Sequence, residues 1–291
     1  IGARTHGTTM SVRFLGQFML ERGTITAQQL QAATEAQRAS NPLLGELAVR
    51  EGLLTAAQAQ RIHQHQRSDD RRFGDIALDL GLLDGARLQS LLATQQAGRK
   101  LLGQLLLEQG ALDLATLQSE LAAHQAEQAT ASRTLADGVA EHVLSGFANG
   151  TIDLCGRLFP RLLGSRCQAA GLLGAAELAT FPHAAHVRIE AEQPLFVGIA
   201  CDADTMHALA CAFLRLEPQR CSHALALDGV GEIASVLVGY LERNVLPDQG
   251  DYRALPADST AAAAQLVADP GRSLAVLMNS QLGPFVLLLG N

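Results

Sequence analysis

Glycines stand at positions 16, 45, 74 and 103, and again at 23, 52, 81 and 110, so two series share a period of 29 that never slips. Glutamines continue the pattern at 37, 66 and 95, and His124 followed by Gln125 fills the fourth slot. A fixed period in this range marks stacked supersecondary units, each too small to bury a core alone. Each copy is predicted to be helix–turn–helix. The first helices read "LGQFMLERG", "LGELAVREG", "FGDIALDLG" and "LGQLLLEQG", and the closing glycine suits a helix C-terminus that needs positive φ. Thr26, Thr55, Asp84 and Asp113 then stand where a second helix wants an N-cap, and Gln29 and Gln58 add capping-box spacing. In the second helices, Leu30, Ala33, Gln37 and their counterparts fall on one face.

The first glycine of each copy is not explained by capping. It lies near a helix start, where glycine costs about 1 kcal/mol against alanine. Something must approach the backbone closely there: either a neighbouring helix, or a ligand phosphate drawn to free N–H groups at a helix N-terminus. The spacing leaves both readings open.

The chain has 291 residues, enough for two average domains, and is 48% hydrophobic and 18% charged. Trp is absent and Tyr occurs twice, so Leu, Ala and Val must build the cores. A net charge of −7 argues against DNA binding or adhesion to an anionic membrane. Lys100 is the only lysine. Arginine suits forked recognition of phosphate or guanine, although genomic composition explains the bias equally well. The five cysteines, at 155, 167, 201, 211 and 221, form no CxxC pair and read as buried free thiols of a reducing cytoplasm. No apolar run reaches the roughly 18 residues of a membrane helix, so no membrane insertion is expected. Residues 1–9 read as added ahead of a native Met10. His63 and His65 do not share a helical face, so no metal site is expected.

A 24-residue unit of the form R-L-G-x-x-L-x3-G…L…L-x-x-Q, repeated after a five-residue spacer, resembles the MshEN domain of type IV pilus and type II secretion ATPases. The resemblance covers residues 12–126. It implies cyclic di-GMP as ligand, with two consecutive motifs forming one site. Carried over, the first motif offers Arg13, Leu15, Gly16, Leu30 and Gln37, with its Arg one residue early. The second offers Leu44, Gly45 and Gln66, with Ala59 where Leu is usual and no leading Arg. The third offers Arg72, Phe73, Gly74, Leu88 and Gln95. The fourth offers Leu102 and Gly103, led by Lys100, with His124 in place of Gln. Arg would stack on a guanine or bond its O6/N7 edge, and Gly would let the backbone reach phosphate.

The pattern changes after Gln128. "ATASRT" (129–134) reads as a short joint, and a helix is expected from about 135 to 147. "TIDLCGRLFPRLLG" is helical up to Pro160; residues 186–202 alternate as two strands about a turn near 192–194. "ADTMHALACAFL" and "ALDGVGEIASVLVGYLERNVL" are helices, and the closing "SLAVLMNSQLGPFVLLLGN" gives two strands. The expected fold is therefore two domains: an all-α repeat domain over 10–130 and an α+β domain over 131–291.

The words "DGVGEIASVLVGYLERNVL" and "LGPFVLLLG" resemble the CheX-like branch of the CheC/CheX/FliY chemotaxis phosphatases, over 132–291. That family's motif is [D/S]-x3-E-x2-N with a Pro about 22 residues on. Asp228 and Glu232 match and Pro256 follows, but Ser235 stands in place of Asn. The resemblance implies that Glu engages a phosphorylated response regulator and that the Asn carboxamide positions the attacking water. Ser offers a shorter reach and a single hydroxyl, and losing such a group typically costs about 10²–10³ in rate. Glu232 and Ser235 are thus the catalytic candidates of a degenerate site. A second "DGVAE" at 137–141 puts Leu144 at the Asn position and reads as a packing echo.

The expectation is a cytoplasmic bacterial signalling protein of chemotaxis or motility, with cyclic di-GMP as ligand and no cofactor. Its partner would be a response regulator or a motility or pilus protein, and the CheX resemblance implies a homodimer. A regulator phosphatase and a non-binding adaptor are the alternatives.

Overall fold

The computed structural model describes residues 14–68, 71–246 and 251–291. The chain divides into two compact units, Phe14–Gln125 and Ala126–Asn291. The division falls inside one helix, α8.

Every described element of the first unit is a helix. They come as short–long pairs: α1 (Leu15–Glu21) with α2 (Ala27–Ser40), α3 (Leu44–Arg50) with α4 (Ala56–Ser68), α5 (Phe73–Asp79) with α6 (Gly85–Gly98), and α7 (Leu102–Glu108) with the start of α8 (Leu114–Ala140). The pairs form for local reasons. Gly23, Gly52, Gly81 and Gly110 all take left-handed conformations, with φ between 63° and 72°, and stop the short helices. Thr26 and Thr55 close capping boxes with Gln29 and Gln58; Asp84 and Asp113 accept from the backbone N–H three residues on.

The pairs do not pack in sequence order. One core joins the first and fourth repeats through Phe18, Met19, Ile25, Ala33, Leu105, Leu106 and Leu117. A second joins the second and third through Leu47, Ile62, Phe73, Ile76, Leu83 and Leu91. Polar contacts follow the same nesting. Gln37 donates its carboxamide to the Lys100 carbonyl (3.4 Å), Gln66 to that of Arg71 (3.2 Å) and Gln95 to that of Pro42 (2.9 Å). In each case the acceptor lies three residues before the first glycine of the paired repeat. Arg22 and the buried Glu120 add an ion pair of 2.9 Å between the first and fourth repeats.

The second unit is α+β. The expected joint at 129–134 is instead helix, part of α8. Its hydroxyls are satisfied within the helix, Thr130 Oγ1 donating to the Ala126 carbonyl and Thr134 Oγ1 to that of Thr130. Ala131 is buried against Ala170 and Leu277 of the sheet, a tertiary contact that rewards the helix. The helix expected over 135–147 is correspondingly divided: α8 ends at Ala140 and α9 (Ser145–Leu162) begins after a turn, with Pro160 in its last turn.

The sheet has six described strands in the order β1-β5-β6-β3-β2-β4, each neighbouring pair antiparallel. They are β1 (Cys167–Leu172), β2 (His183–Glu190), β3 (Leu195–Cys201), β4 (Arg253–Ala254), β5 (Ser273–Ser280) and β6 (Gly283–Gly290). Three helices, α9, α10 (Ala203–Leu214) and α11 (His223–Asn244), build the main core on one face, with Phe159 stacked on Phe285 at 4.8 Å. Leu178, Val267 beside the short α12 (Ala263–Leu266), Val286 and Leu288 form a smaller core on the other face. Strands β1 and β4 were not expected. β1 is broken by a bulge between Ala169 and Gly171, and β4 is two residues long, so neither carries a legible alternation.

Candidate functional site

The motif residues of the repeat unit fall into two groups. Gly16, Gly45, Gly74 and Gly103 are buried, and side chains cover them. A Cβ at Gly16 would lie 2.5 Å from Leu30 Cδ1 and 2.9 Å from Leu102 Cδ2; at Gly74, 2.8 Å from Leu88; at Gly103, 3.0 Å from Leu117. The close approach that the first glycine requires is therefore made by leucines of the long helices, 14 residues further on. In the second repeat that leucine is Ala59, and the space is taken by the Phe73 ring, 2.9 Å from a Cβ at Gly45, and by His63, 3.2 Å away. The substitution at 59 and the aromatic at 73 thus compensate each other.

Leu15, Leu44 and Leu102 are half-buried at the edges of the two cores. Gln37, Gln66 and Gln95 bind backbone carbonyls as described, so their expected ligand role competes with a structural one. His124 is buried against Phe18, ring centroids 5.2 Å apart. Arg72 is exposed at the N-cap of α5, and among the described residues its guanidinium has no partner. Arg13 lies outside the described residues. The structure brings together the Gly and Leu residues of the motif and leaves Arg72 facing solvent.

The second candidate lies on α11. This helix is long and apolar enough to cross a membrane by length and composition, yet Ala226, Val230, Ile233, Leu237, Val238 and Leu241 bury its apolar face in the main core. Asp228 and Glu232 are exposed and Ser235 is half-exposed, at i, i+4 and i+7 along the opposite side. The Ser235 hydroxyl donates to the Gly231 carbonyl at 3.0 Å, inside its own helix. Its proton is engaged there, which leaves only lone pairs for a water.

Residues 253–258 cross the helix at this point. Ala257 packs on Gly231, where a Cβ would lie 3.1 Å away, so exposed Pro256 sits beside the turn that carries Glu232. The segment is held by the sheet. His186 and Asp258 exchange backbone bonds of 2.8 Å each way, and Leu255 N–H donates to the Arg188 carbonyl. The fully buried His186 ring adds a third contact, Nδ1–H donating to the Asp258 carbonyl at 2.9 Å, while Arg188 Nε donates to its Nε2 at 3.4 Å. Burial holds the His186 pKa below its ordinary value, against the opposing pull of Asp258. Sequence reasoning missed this clip. Its signal was present: a histidine at an inward position of a strand, in "HAAHVRIE".

At the second "DGVAE", Asp137 and Glu141 are exposed but Leu144 is buried in the main core, which places it among packing residues. All five cysteines are free; Cys155, Cys201 and Cys221 are buried. Burial pushes the thiols of Cys167 and Cys201 up to about 12, so neither supplies thiolate at neutral pH. Among the described residues no group of three His, Cys, Asp or Glu is placed to hold a metal.

No protein-family profile matches the chain, and no curated protein matches it at a significant level. Solved structures similar to it include a CheC-like superfamily protein from Shewanella sp. PV-4, at 12% identity over 50% of this chain and 96% of that one, with a TM-score of 0.41. The CheX of Borrelia burgdorferi, solved in complex with CheY, BeF3 and Mg2+, is similar at 11% identity over 50% and 96%, with a TM-score of 0.40. FliY of Thermotoga maritima is similar at 11% identity over 50% and 87%, with a TM-score of 0.31. Each likeness spans about half of this chain.

Proposed function

We propose that this chain is a two-part bacterial signalling protein: a repeat unit that senses cyclic di-GMP and a CheX-like unit that binds a phosphorylated response regulator. The observation that carries the second part is the outer side of α11. It presents Asp228, Glu232 and Ser235 along one side, beside the segment of Pro256 and Ala257, on a helix whose other side is core. A helix held this firmly offers Glu232 to a docking protein with little ordering cost. The first part is carried by the fourfold motif and by Arg72, the motif arginine left free to reach a ligand.

The CheX-like unit acts as an adaptor or as a very slow phosphatase. Ser235, bonded to its own helix, does not offer the paired donor and acceptor of a carboxamide, so attacking water is poorly placed. The test is dephosphorylation of the cognate regulator. The native chain is expected to bind it without accelerating its decay, Ser235→Asn to raise the rate by about 10²-fold, and Glu232→Ala in that background to remove the gain. Native activity that disappears on Glu232→Ala would instead establish the phosphatase reading.

A further inference from the structure

The second repeat departs from the others at two linked positions. Three residues before its first glycine stands Pro42, where the others have Arg13, Arg71 and Lys100; five residues after it stands Arg50, where they have Glu21, Asp79 and Glu108. In the third and fourth repeats these positions form ion pairs, Arg71–Asp79 at 2.5 Å and Lys100–Glu108 at 2.6 Å. The exchange leaves the exposed Arg50 guanidinium with no partner among the described residues.

Arg50 borders an open cavity of about 250 Å3, shared with Ser40, Pro42, Leu47, Thr94 and Gln95. Pockets for drug-sized ligands run from ~300 to 1,000 Å3, so this one suits a single ring system rather than a whole dinucleotide. Three helix C-termini meet there, as α2 ends at Ser40, α3 at Arg50 and α6 at Gly98. Their last carbonyls and negative dipole ends disfavour a phosphate. The neutral side chains have little left to donate: Ser40 Oγ donates to the Gln37 carbonyl and Thr94 Oγ1 to that of Ser90, and Gln95 Nε2 gives one of its two N–H groups to that of Pro42. What remains beside the helix-end carbonyls is the second Gln95 N–H and one charged, forked donor, Arg50. Its complement is a planar ring with several N–H groups and one acceptor edge. Guanine has N1–H and a 2-amino group on one side and O6 and N7 on the other, which a guanidinium engages bidentately. Adenine carries an amino group where O6 would be, and Arg has no acceptor for it.

We propose that this cavity holds a guanine base, with Arg50 on its O6/N7 edge. The proposal rests on the reading of the repeat unit as a nucleotide sensor, and it assigns the base, not the phosphates, to this cavity.

The test titrates guanosine, adenosine and cyclic di-GMP calorimetrically into the full chain, with inorganic phosphate as competitor. Guanosine is expected to bind at least about 10-fold tighter than adenosine, and Arg50→Ala to weaken guanosine and cyclic di-GMP about 10-fold or more. Arg50→Lys is not expected to rescue, since lysine lacks the fork. Excess inorganic phosphate is expected not to compete with guanosine. Unchanged unfolding midpoints will show that these exposed substitutions leave the fold intact. Absent guanosine binding, equal binding of the two nucleosides, or cyclic di-GMP binding indifferent to Arg50→Ala would each overturn the pocket while leaving the sensor reading standing. Guanosine bound through Arg50 with no binding of cyclic di-GMP would overturn the sensor reading and leave the pocket.

Discussion

Position 59 holds alanine where three sister repeats hold leucine, and position 73 holds phenylalanine where they hold leucine. Read singly, each looks like drift from a motif. In the structure both belong to one packing problem, because the Phe73 ring covers Gly45 in the place of the missing leucine. Both belong to the core of the second and third repeats. Ala59→Leu is therefore expected to overpack that core and cost about 1–3 kcal/mol. Phe73→Leu in the same chain should recover most of the loss, as residues sharing a cavity are not additive. Urea unfolding of the two single variants and the double variant measures the coupling; additive losses would refute it. The sequence showed the two exceptions but not their partnership, since 14 residues and a repeat boundary separate them.

Among the elements, α11 and the 253–258 segment were legible to different degrees. The helix was read from "ALDGVGEIASVLVGYLERNVL", and in the structure it begins three residues earlier, at His223, where the Ser222 hydroxyl caps it by accepting from the Leu225 N–H. The segment had no pattern of its own; it is ordered by what it touches, chiefly His186. That dependence has a pH signature. His183 and His186 are both depressed by burial, so the unfolded chain binds protons that the folded chain refuses. Their contribution is fully present above the unfolded histidine value of about 6.5 and is lost as pH falls through it toward the lower folded values. Protonation of His186 would also place a cation against Arg188 and end the Arg188 bond to Nε2. Asp258 and Asp113, held below the usual carboxylate range by hydrogen bonds, stay ionised through this window. Tyr240 and Tyr252 both lie in the α+β unit and Trp is absent, so tyrosine fluorescence reports on that unit. Its urea midpoint is expected to be flat from about pH 8 to 7 and to decline between about pH 6.5 and 5. The decline should be smaller in His186→Asn; an equal decline would assign it elsewhere.

At the scale of the whole molecule the repeat pairing decides what depends on what. Because the first repeat shares its core with the fourth, removing the fourth should strip the first while sparing the middle two. A chain ending at Gly98 is expected to lose amide-exchange protection in α1 and α2 and to keep it in α3 to α6. Loss from the carboxyl end inward, as a linear stack would give, is the contrary result. The same pairing bears on the expected ligand sites. The first and second motifs share no core, and neither do the third and fourth, so a site built from two consecutive repeats draws on the second and third more readily than on the third and fourth.

The repeats, their helix pairs and their caps could be read from the chain alone, because each depends on neighbours within a few residues: a left-handed glycine, a hydroxyl or carboxylate three residues before the N–H it caps, an apolar stripe of one period. The strand pair 183–201 and the closing hairpin were legible for the same reason, alternation over a short span. Tertiary structure alone decided the rest. A 29-residue period states that four units are alike and is silent on which one faces which. The residues 129–134 are helix because Ala131 meets a sheet formed later in the chain, and the Ser235 hydroxyl proton is taken by a carbonyl one turn away on a helix whose other side lies in the core. Such outcomes depend on contacts between distant segments, whose free energy is realised only when the whole core closes.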